Sequence, residues 1–354
     1  MKICYIFSNF HHAHITGQAG VMNKLILKAS ENNQVFVISN THQAEQITRD
    51  GVSYYLYDMS SSILKFIVST IHIGRILRKI RPDIIHVNGA LMSVYISFIN
   101  ILVGCTQVIL LSETIENIPL ILKWMAILSF RSHPAIFVTS NYLKMELISA
   151  GIPERKIHLI RIGLGQKFID VQQKTEATDI LYFGDSNINR GFDFIVHLAE
   201  ALQKKKFTIL LRYTFAEADI LLKRVSLLPN VSVKIYPYKE PLEQLLMVSK
   251  LIILPFRWML IRPPISILEA MALRKCVITS LMKGNEEIID QGKTGFMVDF
   301  KNKERVISLI NKLLDNPSER KVIGTEASKK IQKMYSKNEY EKIFHTYHLL
   351  LNTQ

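Results

Sequence analysis

The stretch RPPISILEAMALRKCVITS, residues 262–280, follows the apolar run LIILPF at 251–256 and carries one carboxylate, Glu269, in an otherwise apolar, helix-length segment. Pro264 suits the first turn of a helix, where its missing N–H would have had no intrahelical partner. The amides of Ile265 and Ser266 then point out of the helix N-terminus, a position that favours anions. Glu269 falls one turn inside, among Leu268, Ala270, Met271 and Ala272, so little polar face is left for it. A buried carboxylate without a partner is costly, which favours a hydrogen-bonding ligand, such as the adjacent hydroxyls of a ribose, over a solvated helix face. CVITS at 276–280 reads as the β-strand that follows.

A second strand-loop-helix stretch lies upstream. LYFGDSNINRGFDFIVHLAEAL, residues 181–202, runs from a strand through Gly184 into a polar loop, and Arg190-Gly191 opens an amphipathic helix. An arginine beside a first helical turn either joins the helix dipole in holding an anion or is a solvated loop side chain. Outward from these two stretches, β-rich runs alternate with helix-length segments almost throughout, the pattern of parallel sheets with crossover helices. KICYIF, QVFVIS, VSYYLY, DIIHV, QVILL, AIFVT and IHLIRI are strands of the first half. DILYFG, FTILLR, VSVKIY, LIILP, CVITS and GFMV are those of the second. The polar stretch 163–178, GLGQKFIDVQQKTEAT, reads as a linker, and the tail from Lys301 as consecutive helices with Pro317 at a helix start. No internal repeat or low-complexity segment is present.

A length of 354 residues points to two domains, and 48% hydrophobic residues suffice for two full cores. The formal charge of +14 favours an anionic partner: nucleic acid, phosphorylated small molecules or an acidic membrane face. Cys4, Cys105 and Cys276 lie far apart without a CxxC pair, so neither a disulfide framework nor a zinc site is suggested, and the chain reads as one of a reducing cytosol. MKICYIFSNF reads as a first strand rather than a signal peptide. Residues 84–112 hold no Asp, Glu, Lys or Arg, yet HVNGA and VGCTQ interrupt them, so strand, buried helix and strand fit better than a membrane span.

Taken together, MKICYIF, GQAG, RPDIIHVNG, VTSNYLKMELISAGIPERKIHLIRIGL, LYFGDSNINRGFDFI, PPISILEAMALRKCVITS and GNEEIIDQGKTGFMV resemble the family 4 glycosyltransferases, retaining enzymes of the GT-B fold that use nucleotide-sugar donors. The likeness extends over nearly the whole chain, and the last two stretches, with their spacing, are the most specific. It implies an α/β protein with two facing Rossmann-like, doubly wound domains: residues 1–165 on the acceptor side, 176–335 binding the nucleotide-sugar, and a C-terminal helix over 336–354 crossing back to the first domain. The resemblance assigns Glu269 to the donor ribose and Arg190 to the donor diphosphate, with the amides around Pro264, Ile265 and Ser266 facing the phosphates. Gly17 and Gly20 would form a glycine loop that lets the backbone approach the same diphosphate, Gly184 and Asp185 would follow the donor-side strand, and His86 and Asn88 would end a strand in the acceptor-side cleft. The catalytic set it implies is His86, Asn88 and Arg190.

The chain also departs from that pattern. The family's second Glu, eight residues before Glu269, is Ile261 here; its His-x-His is His86-Val87-Asn88; the basic residue after the strand glycine is Asp185; and LLRYTF, with Arg212, replaces a glycine-rich turn. No Asp-x-Asp occurs, so metal-independent transfer with no cofactor is expected, cationic side chains and a helix N-terminus neutralising the leaving diphosphate. His11, His12 and His14 read as a polar loop rather than a metal site, since no further ligand is nearby. Residues 61–83 combine an apolar stripe with Lys65, Arg75, Arg78, Lys79 and Arg81, and residues 117–130 add NIPLILKWMAILSF. These are either covering helices with a basic outer face or a surface for an anionic membrane. The expected function is transfer of a sugar from a nucleotide-sugar to a glycan or lipid-linked acceptor with retention, in surface or envelope polysaccharide synthesis, by a cytoplasmic protein attached peripherally to the inner membrane face. The alternatives are a catalytically weakened GT-B scaffold acting as a partner subunit and, on net charge alone, a nucleic-acid binder, against which the dispersed basic residues without interleaved aromatics argue.

Overall fold

The computed structural model describes residues 1–7, 17–40, 45–57, 63–161, 164, 166–168, 174–257, 264–335 and 339–352. The chain divides into two compact units, one of residues 1–163 with 337–354 and one of residues 164–336. The first unit contains β1 (Lys2–Phe7), α1 (Gly17–Ser30), β2 (Gln34–Asn40), β3 (Glu45–Arg49), β4 (Val52–Tyr57), α2 (Ile63–Ile80), β5 (Ile84–Asn88), α3 (Ala90–Asn100), β6 (Thr106–Leu111), α4 (Leu120–Ser132), β7 (Ile136–Val138), α5 (Asn141–Ser149) and β8 (Ile157–Leu159). The second contains β9 (Thr178–Gly184), α6 (Phe192–Ala201), β10 (Phe207–Leu211), α7 (Asp219–Ser226), β11 (Val231–Ile235), α8 (Leu242–Met247), β12 (Ser249–Leu254), α9 (Ile265–Ala272), β13 (Cys276–Ser280), β14 (Phe296–Val298), α10 (Lys303–Asp315) and α11 (Pro317–Met334). The last helix, α12 (Glu339–Asn352), returns to the first unit.

The first sheet has the order β3-β4-β2-β1-β5-β6-β7-β8 and the second β11-β10-β9-β12-β13-β14. All neighbours pair in parallel except β3 with β4. The strands expected from the sequence are present, and β3 was not among them: EQITR is polar and largely exposed, an edge strand without the apolar alternation that marks the others. Strand direction of travel reverses between β1 and β5 in the first sheet and between β9 and β12 in the second. Such switch points leave a crevice at the carboxyl ends of the strands.

Period-2 alternation divides the first core. Ile3, Tyr5 and Phe7 of β1 pack with Met22, Leu25 and Ile26 of α1 and with Ile343 and Tyr347 of α12, while Cys4 and Ile6 pack with α2 and α3 on the opposite face. Glu339, Ile343 and Tyr347 recur at i, i+4 and i+8, so α12 buries one stripe; its two apolar members contribute about 1.5–3 kcal/mol each. Glu339 also accepts a hydrogen bond from the amide of Arg161 at 2.8 Å.

Two expectations are corrected. Gly17 and Gly20 form the first turn of α1 rather than a loop before it. Burial of Met22, Leu25, Ile26 and Ala29 fixes the helix, which propagates back over the glycines and offsets their poor helix propensity. The stretch 163–178 is not wholly a linker: Phe168 is buried in the second core, and Ala177 and Thr178 already bond to the carbonyl of Val248.

In the second unit α11 fixes the position of α9. Gly324 sits so close to the carbonyl of Arg274 that an added Cβ would lie 1.9 Å from its oxygen. Ser328 Oγ donates to the carbonyl of Ala272 at 2.9 Å. Buried Lys275 donates to the carbonyls of Met247 and Ser249 at 2.6 and 2.9 Å, tying the end of α9 to β12. Pro317 stands at the start of α11 behind Asn316, whose side chain caps the amide of Glu319 at 3.1 Å.

Candidate functional site

Glu269 lies on α9, whose entry is Pro264 with φ −60° and ψ 138°. Ile267 and Leu268 donate the first helical bonds to the carbonyl of Pro264, so Ile265 and Ser266, both half-buried, occupy the positions whose amides point out of the helix end. Ile267, Leu268, Ala270 and Met271 turn the rest of α9 into core, and Glu269 is carried into a largely buried position, 8% exposed.

The carboxylate already has a partner within the protein. Arg212, the residue after β10, brings Nη2 to 3.2 Å from Glu269 Oε2, with both side chains mostly buried. The pair spans β9, because β10 lies on one side of that strand and β12, which leads into α9, on the other. The amide of Arg212 donates to the carbonyl of Gly184 at 2.7 Å, which holds the arginine at the carboxyl end of β9. The cost of burying Glu269 is therefore met by a guanidinium and not left for a ligand, as the sequence suggested. Arg212 also acts on Tyr238: burial pushes this phenol up to about 12, against the opposing pull of the Arg212 cation. The Tyr238 hydroxyl is buried without a hydrogen-bond partner among the described residues.

The loop after Gly184 is built tightly. Tyr182 Oη donates to the carbonyl of Asp185 at 2.7 Å, and an added Cβ on Gly184 would lie 2.9 Å from that hydroxyl. Asp185 accepts from the amide of Asn187 at 3.0 Å and lies 3.7 Å from Nε of Arg190. Arg190 ends a short 3₁₀ turn at Ile188–Arg190, and its guanidinium lies over the Phe256 ring, 5.3 Å from the centroid. Gly191 has φ 74° and approaches Pro255 so closely that a Cβ would lie 1.9 Å from the Pro255 carbonyl oxygen. Only glycine meets both demands. The amide of Arg257 bonds to the carbonyl of Asn189 at 2.9 Å, and its guanidinium pairs with Asp193. The turns after β9 and β12 are thereby locked together at the switch point.

Gly184, Asp185, Arg190, Pro264, Ile265, Ser266 and Glu269 thus all stand at the carboxyl ends of β9 and β12 or the start of the helix that follows, and Arg212 joins them. Arg212, Gly191 and Phe256 were not assigned roles from the sequence. The signal for Gly191 was available, since a glycine between a polar loop and a helix marks a left-handed turn. A cavity of about 970 Å³ lies beside this cluster, bordered by Asp193, His197, Phe256, Arg257 and Lys301, and none of Gly184, Arg190, Arg212 or Glu269 lines it.

The first unit gives a different result. His86 does not line a cleft: it is 0% exposed in the middle of β5. Its ring stacks on Phe137 at 5.8 Å and 3°, packs against Tyr5, and bonds through Nδ1 to the Tyr347 hydroxyl of α12. Burial pulls its pKa down to about 3, so it is neutral at physiological pH. The reason is its facing partners: the aromatic rings of β1, β7 and α12 close over that face of β5. Asn88 ends the strand half-buried, followed by Gly89 at φ 99° and the start of α3. Gly17 and Gly20 stand at the N-terminus of α1, which follows β1. His11, His12, His14, Ile261, Arg262 and Pro263 lie outside the described residues. Among the described residues no group of three His, Cys, Asp or Glu side chains gathers in a metal-binding arrangement.

Comparison with known proteins agrees with this fold. Residues 167–330 match the family model described as Glycosyl transferases group 1. No curated protein sequence matches the chain. Among solved structures, sucrose-phosphate synthase from Thermosynechococcus elongatus superposes with a TM-score of 0.81 at 13% identity, covering 100% of both chains. Anabaena HepE, in complex with UDP, superposes with a TM-score of 0.77 at 12% identity over 98% of this chain and 99% of that one. A glycosyltransferase from Rickettsia africae gives a TM-score of 0.74 at 16% identity over 100% and 99%. The chain therefore has the fold of the GT-B glycosyltransferases, and its second unit carries a glycosyl transferases group 1 domain.

Proposed function

We propose that the protein is a retaining, family 4 glycosyltransferase that moves a sugar from a nucleotide-sugar donor to a glycan or lipid-linked acceptor, in surface or envelope polysaccharide synthesis. The observation that carries this reading is the buried Glu269, held one turn inside the N-terminus of α9 by Arg212 at the switch point of a parallel sheet. A carboxylate in that position accepts hydrogen bonds from the ribose, and the amides of Ile265 and Ser266 face the diphosphate. Arg190, at the turn after β9, supplies further positive charge to the leaving nucleotide diphosphate. Arg212 both neutralises Glu269 and adds a cation at the same switch point, in the place where the family pattern has a glycine-rich turn. The neighbour crystallised with UDP supports a nucleoside diphosphate as the leaving group.

In this reading transfer needs no metal, because the helix N-terminus and Arg190 carry the developing charge. The acceptor hydroxyl attacks the anomeric carbon on the face the nucleotide leaves and gives its proton to the departing phosphate oxygen, so no protein nucleophile is required. His86 takes no part, being sealed in the first core. The test is calorimetric titration with UDP, GDP and their sugars in the presence of chelator. One nucleotide should bind, and Glu269→Gln should weaken it at least about tenfold. If the wild-type protein binds neither nucleotide, the enzyme reading fails.

A second reading, a weakened GT-B scaffold serving a partner subunit, draws on Ile261 in place of a carboxylate, Asn88 in place of a histidine, and the acidic Asp185 beside Arg190. Donor hydrolysis separates the two: the enzyme releases the nucleoside diphosphate slowly without acceptor, whereas the scaffold does not.

A further inference from the structure

We infer that the helical layer α2, α3 and α4 of the first unit docks on the surface of an anionic lipid bilayer. Each of these helices buries one stripe against the sheet, through Ile73 and Leu77, Ile96 and Ile99, and Ala126 and Phe130 respectively. The outward stripes are apolar as well. Ile71 on α2, Phe98 on α3 with Leu102 just beyond it, and Ile121, Trp124 and Leu128 on α4 are all exposed, Ile121 by 77% and Trp124 by 63%. The three stripes belong to one layer, because α3 is bonded to both neighbours: Thr70 to Tyr95 at 2.7 Å and Ser93 to Ser129 at 2.9 Å. An amphipathic helix of a monomeric protein normally turns charged residues to water at such positions.

Charge selects the occupant. None of the three helices contains Asp or Glu, and all their charged residues are basic. Arg75, Arg78, Lys79 and Arg131 are exposed and Lys123 half-buried, which complements anionic headgroups around an apolar contact. A second copy docked through the same face would set one patch with only basic charges against another, since a two-fold interface apposes the same surface of both subunits. The opposite face of the sheet is different: α12 carries the exposed Glu341 there. Among the described residues no helix is long and apolar enough to cross a membrane, so the layer rests on the bilayer, with Trp124 at headgroup depth. This inference stands apart from the transfer reaction.

The chain has two tryptophans, so Trp258→Phe leaves Trp124 as the single tryptophan, read by selective excitation at its red edge. Vesicles of phosphatidylcholine with phosphatidylglycerol should shift its emission to the blue, phosphatidylcholine alone much less, and added salt should diminish the shift. In flotation, Ile121→Glu with Leu128→Glu should weaken binding by about tenfold or more at an unchanged melting temperature. Arg75→Glu with Lys79→Glu touches only exposed cations and keeps the test readable if the apolar pair disturbs folding; it should lower binding most at low salt. Absence of a shift with anionic vesicles, or binding indifferent to both pairs, overturns the inference. So does self-association without lipid that Ile121→Glu abolishes, which would assign the face to a second copy.

Discussion

His86 in the first unit and Glu269 in the second are both titratable side chains carried into the interior, one by a strand and the other by the helix that follows a strand, and the protein treats them in opposite ways. His86 is enclosed by Tyr5, Phe137 and Tyr347, with one neutral hydrogen bond, and is kept uncharged. Glu269 is set at the end of a sheet and given a guanidinium. A neutral ring among aromatics stabilises a core. A charge held by a countercharge near the start of a helix keeps a polar partner in the interior, which is what the proposed function uses. The difference teaches that position along the sequence motif does not make a site; what closes over the side chain does.

The strongest way to break this contrast is acid. The unfolded chain protonates histidine near its ordinary 6.5, whereas His86 in the fold resists until about 3. Above 6.5 neither state holds the proton, so the full stability is present there. As pH falls from 6.5 toward 3 the unfolded state gains protons first, and stability is lost at about 1.4 kcal/mol per pH unit, or about 2.7 kcal/mol by pH 4.5. His133, pulled to about 4 by burial and Lys156, adds to the same limb. Urea midpoints measured across this range should fall steeply for the wild type and less so for His86→Leu; parallel curves would sink the assignment of a buried neutral histidine.

Glu269→Ala comes next. It leaves Arg212 largely buried with its partner gone, a loss of about 2–3 kcal/mol, discounted from the figure for fully buried pairs because both groups keep some water contact. Replacing both, as Glu269→Leu with Arg212→Met, should restore most of the stability while nucleotide binding stays absent. If the double variant still bound nucleotide, the pair would be structural only.

Most of the fold was legible because the signals are local. Period-2 apolar runs gave the strands, and Pro264 and Pro317 gave helix starts at Ile265 and Pro317. β3 escaped because an edge strand of EQITR type has no buried face to mark it. The site was half legible. Glu269 drew notice as a charge in an apolar helix, but its partner lies 57 residues earlier, just after β10, and nothing in LLRYTF says where Arg212 points. His86 was misjudged for the same reason on a larger scale: the ring that closes over it, Tyr347, is 261 residues away on the returning α12. Sequence periodicity tells which residues share a face, whereas the identity of what covers that face is a tertiary fact.

Smaller changes sharpen the contrast. Tyr347→Phe removes the hydroxyl bonded to His86 and leaves the ring in place, so α12 should stay docked at a loss of about 1 kcal/mol, read as a melting shift of a few degrees. Nucleotide affinity should not change, because that network belongs to the core. At the other site the smallest effect concerns Asp185. Its carboxylate stands 3.7 Å from Arg190 on a partly exposed pair, so its negative charge offsets part of what Arg190 presents to a diphosphate. Asp185→Asn keeps the shape and the acceptor for the Asn187 amide while removing that charge. Stability should be nearly unchanged, since exposed pairs contribute little, and affinity for the nucleoside diphosphate should rise by about threefold at low salt, the gain fading as salt is added. An affinity that stays flat would detach Arg190 from the diphosphate and leave the helix end and Arg212 to hold it.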